Sequence, residues 1–321
     1  MKKQILKAVI SGAVALVVLS CPVLAQQAGK SPIKVFILAG QSNMQGQGVV
    51  SMNGEKDYNG GKGNLVWSME HSRSAPIMKH LKDAKGEWVV RDDVKVWYKI
   101  GRGITKGGLT VGFTGYGGKS HIGPELQFGH VMGDYFENPV LLIKTAWGGK
   151  SLYQDFRPPS SDGTVGPCYT QMLAEVREAL ADIKNIFPER TNHEYEIAGF
   201  VWQHGWNDMC TKPAIPEYEQ NLVNLVNDLR KEFKNPKMPV VIGELGNGGE
   251  KCSPDMLAIR NAEKAAAAKL APAVFVATHD FARPPAESPN VSHGHHWFGN
   301  AESYFLIGNA LGEGMKELLR Q

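Results

Sequence analysis

The chain is short of cysteine, with 4 in 321 residues. Cys21 falls in the leader described below, leaving Cys168, Cys210 and Cys252, an odd number that allows at most one internal disulfide. No C-x-x-C pair and no cysteine–histidine zinc spacing occurs, which excludes a structural zinc module. An excess of one charge sign is also missing. Once Lys2, Lys3 and Lys7 of the leader are set aside, basic and acidic residues balance at 32 each. Such a surface has no basic field with which to hold nucleic acid or an anionic membrane. Internal repeats are absent. The longest apolar run, AVISGAVALVVLS at residues 8–20, falls short of the about 20 residues of a membrane span.

That run has another use. It follows three lysines and precedes PVLA, which ends in the small residue Ala25, the layout of a secretory signal peptide over residues 1–25. The sequence therefore predicts a secreted or periplasmic protein of residues 26–321. VLSC at residues 18–21 resembles a lipoprotein cleavage site loosely, but Leu19 and Pro22 fit it poorly, so lipid anchoring at Cys21 ranks second.

What is present is enough for a full core. A 42% hydrophobic chain of this length suits one elaborated α/β domain. Short runs rich in Val, Ile and Phe recur (KVFILAG, DVKVWY, PVLLIKTA, IAGFVWQ, PVVIGEL, AVFVATHD), and they are continuously apolar rather than alternating. Strands of that kind are covered on both faces, which implies a parallel sheet. Between them lie helical patterns such as YTQMLAEVREALADIKNIF and EYEQNLVNLVNDLRKEF. The predicted fold is a three-layer α/β/α sandwich with a mostly parallel central sheet. Residues 45–123, with nine glycines among 101–123, and residues 151–168 read as long loops. Both follow candidate strands, so they are expected at the carboxyl ends of the sheet, where open α/β folds bind ligands.

The first strand runs straight into Gly40-Gln41-Ser42-Asn43-Met44. A serine at a strand-to-helix junction either caps the helix or presents a hydroxyl on a tight turn as a nucleophile. Ester hydrolysis by serine also needs an imidazole to take the proton and donors for the oxyanion. Both are supplied further along. WQHGWND at residues 202–208 puts Asn207 at the end of one strand, KTAWGGKS puts Gly148 and Gly149 at the end of another, and HGHHWFGNAE precedes the last helix.

GGKS occurs at 117–120 and 148–151, but Phe113 and Lys144 stand where a phosphate loop needs its first glycine, so nucleotide binding is discarded. Asp208 reads as a structural acceptor holding its own turn. His293, His295 and His296 lack the accompanying carboxylate or cysteine cluster that a metal site needs. Trp147, Trp206 and Trp297 each abut one of these blocks, where sugar faces could stack on them.

In this order the four blocks resemble the SGNH hydrolases, and LAGQSNM is similar to the nucleophile block of the sialate O-acetylesterase and acetylxylan esterase branch. The resemblance spans residues 34–319 and implies the flavodoxin-like SGNH fold. It implies that Ser42 is the nucleophile, that Gly149 (or Gly148) and Asn207 are oxyanion donors beside the Ser42 N–H, and that His296, next to Trp297, is the base. Gln41, Trp147, Gly148, Trp206 and Trp297 fall to the substrate side. The implied substrate is an acetylated carbohydrate, with no cofactor and no metal.

One element of the family pattern is missing. D-x-x-H requires an acid three residues before the base, and His293 or Ser292 stands there instead. Asp280 and Glu287 are the candidate acids elsewhere, or a backbone carbonyl orients the ring and the pair is a Ser-His dyad. A lightly perturbed imidazole would give an acidic limb near about pH 6 to 7.

Overall fold

The structure, a computed structural model, describes residues 31–52, 58–101 and 103–320. The leader and Cys21 lie outside the described residues. The apolar runs form a seven-stranded sheet built from β1 (Ile33–Gly40), β2 (Arg91–Ile100), β3 (Gly103–Leu109), β4 (Val140–Ala146), β5 (Tyr195–Gln203), β6 (Val240–Gly243) and β7 (Ala273–Val276). The order is β3-β2-β4-β1-β5-β6-β7, with β2 and β3 antiparallel and every other pairing parallel. The α/β sandwich expected from the sequence is therefore the observed fold.

Burial on both faces of the sheet explains the continuous hydrophobicity. Along β1, Ile33, Val35, Ile37 and Ala39 enter one core, while Phe36 and Leu38 enter the other. The first core is closed by α2 (Pro167–Ala181), α3 (Tyr218–Glu232) and α4 (Pro254–Lys269). The second is closed by α1 (Glu125–Tyr135) and α5 (Ala301–Leu319). Local signals set the helix ends: Ser253 accepts from Met256 N–H with Pro254 in the first turn, and Asn300 accepts from Ser303 N–H.

Residues 45–123 are more than decoration. They include β2 and the glycine-rich β3, which form the antiparallel edge of the main sheet, and the two-stranded pairing of Gly48–Val49 with His121–Ile122. The alternation in GITKGGL is too polar to read as a strand, because β3 is an edge strand with most of its residues exposed. Among the described residues no helix is long and apolar enough to cross a membrane. Cys168, Cys210 and Cys252 are all free thiols.

Candidate functional site

Gly40 ends β1 in a conformation that only glycine adopts readily: its φ is +151°, and a Cβ there would stand 2.1 Å from the carbonyl oxygen of Gln203. The chain then turns into a single helical turn, Ser42–Gln45, closed by hydrogen bonds from Met44 N–H and Gln45 N–H to the Gln41 carbonyl at 2.9 and 2.8 Å. Ser42 heads this turn and is 7% exposed. The strand register fixes its neighbours, because β1 lies between β4 and β5 with Gly40 opposite Ala146 and Gln203. The segments leaving β4 and β5 thus emerge on either side of Ser42.

The β4 side carries the glycine pair. Trp147 N–H donates to the Gly40 carbonyl at 3.2 Å, and a Cβ on Gly148 would stand 3.7 Å from the Ser42 Cβ. Gly148 is therefore the one alongside Ser42. Gly149 follows with φ of +73° and turns its carbonyl to Asn207. Asp208 fixes this segment, since its carboxylate accepts from the N–H groups of Leu152 and Tyr153 at 2.9 and 2.8 Å. The sequence assigned Asp208 to its own turn, whereas it clamps the neighbouring loop across the site. Burial pushes its carboxyl up to about 7.

On the β5 side Asn207 is held by three contacts. Its Oδ1 accepts from Gln41 Nε2 at 3.2 Å, its N–H donates to Gln41 Oε1 at 3.4 Å, and its Nδ2 donates to the Gly149 carbonyl at 2.7 Å. A side-chain amide has two N–H protons, so Asn207 retains a second one. Gln41 is buried and spends its amide on Asn207, which makes it a support for Asn207 rather than a group facing substrate.

The third component arrives from distant sequence. The carbonyl of His295 accepts from Asn43 Nδ2 at 3.1 Å and from Asn247 Nδ2 at 2.7 Å, and Tyr304 of α5 donates to Asn43 Oδ1 at 2.8 Å. These contacts hold the histidine loop against the turn that begins with Ser42. Asn43, Asn247 and Tyr304 escaped the sequence reading. Asn43 stood inside the GQSNM block, whereas nothing in the sequence singles out the other two. The rings of His295 and His296 lie 4.1 Å apart between centroids, and His295 is 5.8 Å from Trp206.

Burial drives the His296 imidazole down to about 4, with the neighbouring His295 and His293 pushing the same way. The ring is consequently neutral at pH 7, the form that accepts a proton. Among the described residues no carboxylate forms an ion pair with His293, His295 or His296. Asp280, 77% exposed at its side chain, has its nearest imidazole contact with His279 at 3.7 Å. Together with Glu287 it lines a separate cleft of about 550 Å³ beside Trp67 and Arg283. Neither acid is brought to His296.

The three tryptophans divide. Trp147 and Trp206 are half-buried on the rim, packed against the first core. Trp297 is 1% exposed inside the second core, so it offers no face to a sugar. Trp297, Phe298 and Gly299 have φ of 53°, 54° and 69°, a left-handed run that side chains adopt only when packing imposes it. The Trp297 indole is buried in the second core at the start of this run.

What the arrangement offers is a hydroxyl, a neutral imidazole on the adjoining loop, and amide donors beside a glycine pair. That is equipment for acyl transfer. Solved structures agree on the fold. A protein from Arabidopsis thaliana is 17% identical with a TM-score of 0.56, over 89% of this chain and 99% of that one. A carbohydrate acetylesterase from Xanthomonas citri is 12% identical with a TM-score of 0.50, over 88% of this chain and 57% of that one. A search of curated proteins finds no match for the sequence. The family described as carbohydrate esterase, sialic acid-specific acetylesterase, matches residues 32–305, which is most of the chain, and the protein belongs to that family.

Proposed function

We propose that this protein is an exported carbohydrate O-acetylesterase that works through a Ser42 acyl-enzyme, of the sialate O-acetylesterase or acetylxylan esterase type. The observation that carries the reading is the arrangement around the Ser42 turn: Gly148 of the β4 side lies beside Ser42, Asn207 of the β5 side is bonded to Gln41, and the His295 carbonyl is bonded to Asn43. Membership of the carbohydrate esterase family supports the substrate class. Export rests on the leader read in residues 1–25.

In the proposed reaction Ser42 Oγ attacks the acetyl carbonyl carbon while neutral His296 takes the hydroxyl proton. The oxygen that becomes negative is met by the Ser42 N–H, a glycine N–H at 148–149 and the second N–H of Asn207. His296 then gives its proton to the departing sugar oxygen, leaving acetyl on Ser42. Water, deprotonated by the same imidazole, attacks that ester and releases acetate. No carboxylate is required to take a proton at any step. An orienting acid acts by holding the imidazole in place, and here the histidine backbone is held by Asn43 and Asn247 instead.

Ser42→Ala tests the proposal. It should lower acetate release from an acetylated sugar and from p-nitrophenyl acetate by about a thousandfold or more, with the fold retained. Full activity in the purified variant would remove Ser42 from the mechanism. No hydrolysis by the parent protein, with retained binding of glycan, would identify a binding protein on an esterase fold. Preference for p-nitrophenyl palmitate over the acetate would identify a lipase.

A further inference from the structure

Lys144 stands in the middle of VLLIKTA, a strand in which every residue is buried. Its neighbours two residues away on either side, Leu142 and Ala146, belong to the second core, so its side chain enters the same layer. There it forms an ion pair with Glu125 in which both side chains have no exposed surface. The ammonium has three protons and three close acceptors: Glu125 Oε2 at 2.7 Å, the Phe113 carbonyl at 2.7 Å and the Gln45 carbonyl at 2.9 Å. Glu125 Oε1 accepts from Gly123 N–H at 3.1 Å. The packing is close enough that a Cβ on Gly123 would stand 2.3 Å from Glu125 Oε2 and 3.2 Å from Lys144 Nζ.

The three acceptors belong to three segments. Gln45 closes the turn that Ser42 opens, Phe113 begins the glycine-rich stretch whose Gly115 abuts the Gln45 side chain, and Glu125 starts α1. A buried ion pair is a weak device for stability, since well-packed apolar residues of similar volume often stabilise a core as well or better. What an apolar side chain lacks is the capacity to bind two carbonyls and a carboxylate from separate segments at one point.

We propose that the Lys144–Glu125 pair positions the nucleophile: the ammonium fixes the Ser42–Gln45 turn against the glycine-rich segment that follows Phe113. Lys144 is a positioning residue, since its contacts are with Gln45, Phe113 and Glu125 rather than with reacting groups. The inference rests on the reading of Ser42 as nucleophile.

The test separates positioning from stability with two variants. Lys144→Met leaves Glu125 buried without its partner, so it should lower both Tm and the rate. Lys144→Met/Glu125→Gln removes both charges and keeps an acceptor for Gly123, so it should recover most of the lost Tm. Its kcat on p-nitrophenyl acetate should nevertheless stay down, by about a hundredfold for a misplacement near 1 Å, with KM within about threefold. Labelling of Ser42 by a fluorophosphonate should slow in parallel. A double variant that regains the parental kcat and labelling rate with its Tm would overturn the proposal. So would a double variant that fails to fold, because the pair would then be needed for the fold itself. If the parent neither hydrolyses esters nor labels at Ser42, it is the esterase reading that fails, a result distinct from either of these.

Discussion

The turn that carries Ser42 and the loop that carries His296 meet at one site but are held in different ways. Ser42 follows directly from β1, between two parallel neighbours, with a glycine that admits the Gln203 carbonyl at its base. Its place is set by backbone geometry, and side chains such as Gln41 and Asn207 refine the surroundings. The histidine loop has no strand under it. It depends on two side-chain amides converging on the His295 carbonyl, on Tyr304 through Asn43, and on a buried Trp297 at the start of a left-handed run. Parallel-sheet register places Ser42 near Gly148 and Asn207, whereas the His295–His296 loop is brought in by contacts across long sequence separations.

The comparison is tested first at the base. His296→Ala should reduce activity by about a thousandfold, as removal of a triad member does. In the proposed mechanism the neutral ring is the base, so kcat/KM should be full at neutral pH and fall as pH drops through the His296 pKa. Burial puts that limb near about 4 rather than in the range expected of a free imidazole. A pH–rate profile from pH 3 to 8 measures it, and a limb at pH 6 to 7 would point to a base less buried than His296.

On the nucleophile side the largest further loss should come from Asn207→Ala. Removing one oxyanion donor costs about a hundredfold in kcat, with KM little changed. Should KM rise while kcat holds, Asn207 serves sugar binding and the donor role is wrong.

Asn43 and Asn247 distinguish the two modes of support. Asn43→Ala removes both the donor to His295 and the acceptor for Tyr304, about 2 kcal/mol of hydrogen bonding, and a rate loss of about thirtyfold is expected. Asn247→Ala removes one donor, about 1 kcal/mol or about fivefold. Steady-state rates for the two variants decide the matter: if neither falls by more than twofold, the loop is positioned by its other contacts, the Trp297 packing and the Tyr304 hydrogen bond to the His296 carbonyl.

The smallest effects are expected at the two candidate acids, Asp280 and Glu287. Asp280→Asn and Glu287→Gln should each stay within about threefold of the parent, a difference below about 0.7 kcal/mol, because both side chains face the Trp67 cleft. A loss of hundreds-fold in either variant would restore a carboxylate-assisted triad and imply a rearranged histidine loop.

The layered α/β fold was legible in the sequence because strands covered on both faces must be continuously apolar, a pattern that needs no tertiary information. The edge strand β3 of the main sheet escaped, since half its surroundings are water, and so did the short pairing of Gly48–Val49 with His121–Ile122. The Ser42 turn was legible for a related reason: Gly40, Ser42 and the glycine pair lie within a few residues of strand ends, so local chemistry and sheet order bring them together. Tertiary structure alone decided that Trp297 would be a core residue, that Gln41 would serve Asn207, and that Asp208 would clamp a loop other than its own. Lys144 entered the sequence reading merely as the residue where a phosphate loop lacks its glycine. A lysine in an apolar strand does not announce which acceptors it will meet, and its three partners lie 99, 31 and 19 residues away. Propensity and periodicity are properties of neighbouring residues, whereas the direction of a buried hydrogen bond depends on which distant segments the fold brings within 3 Å.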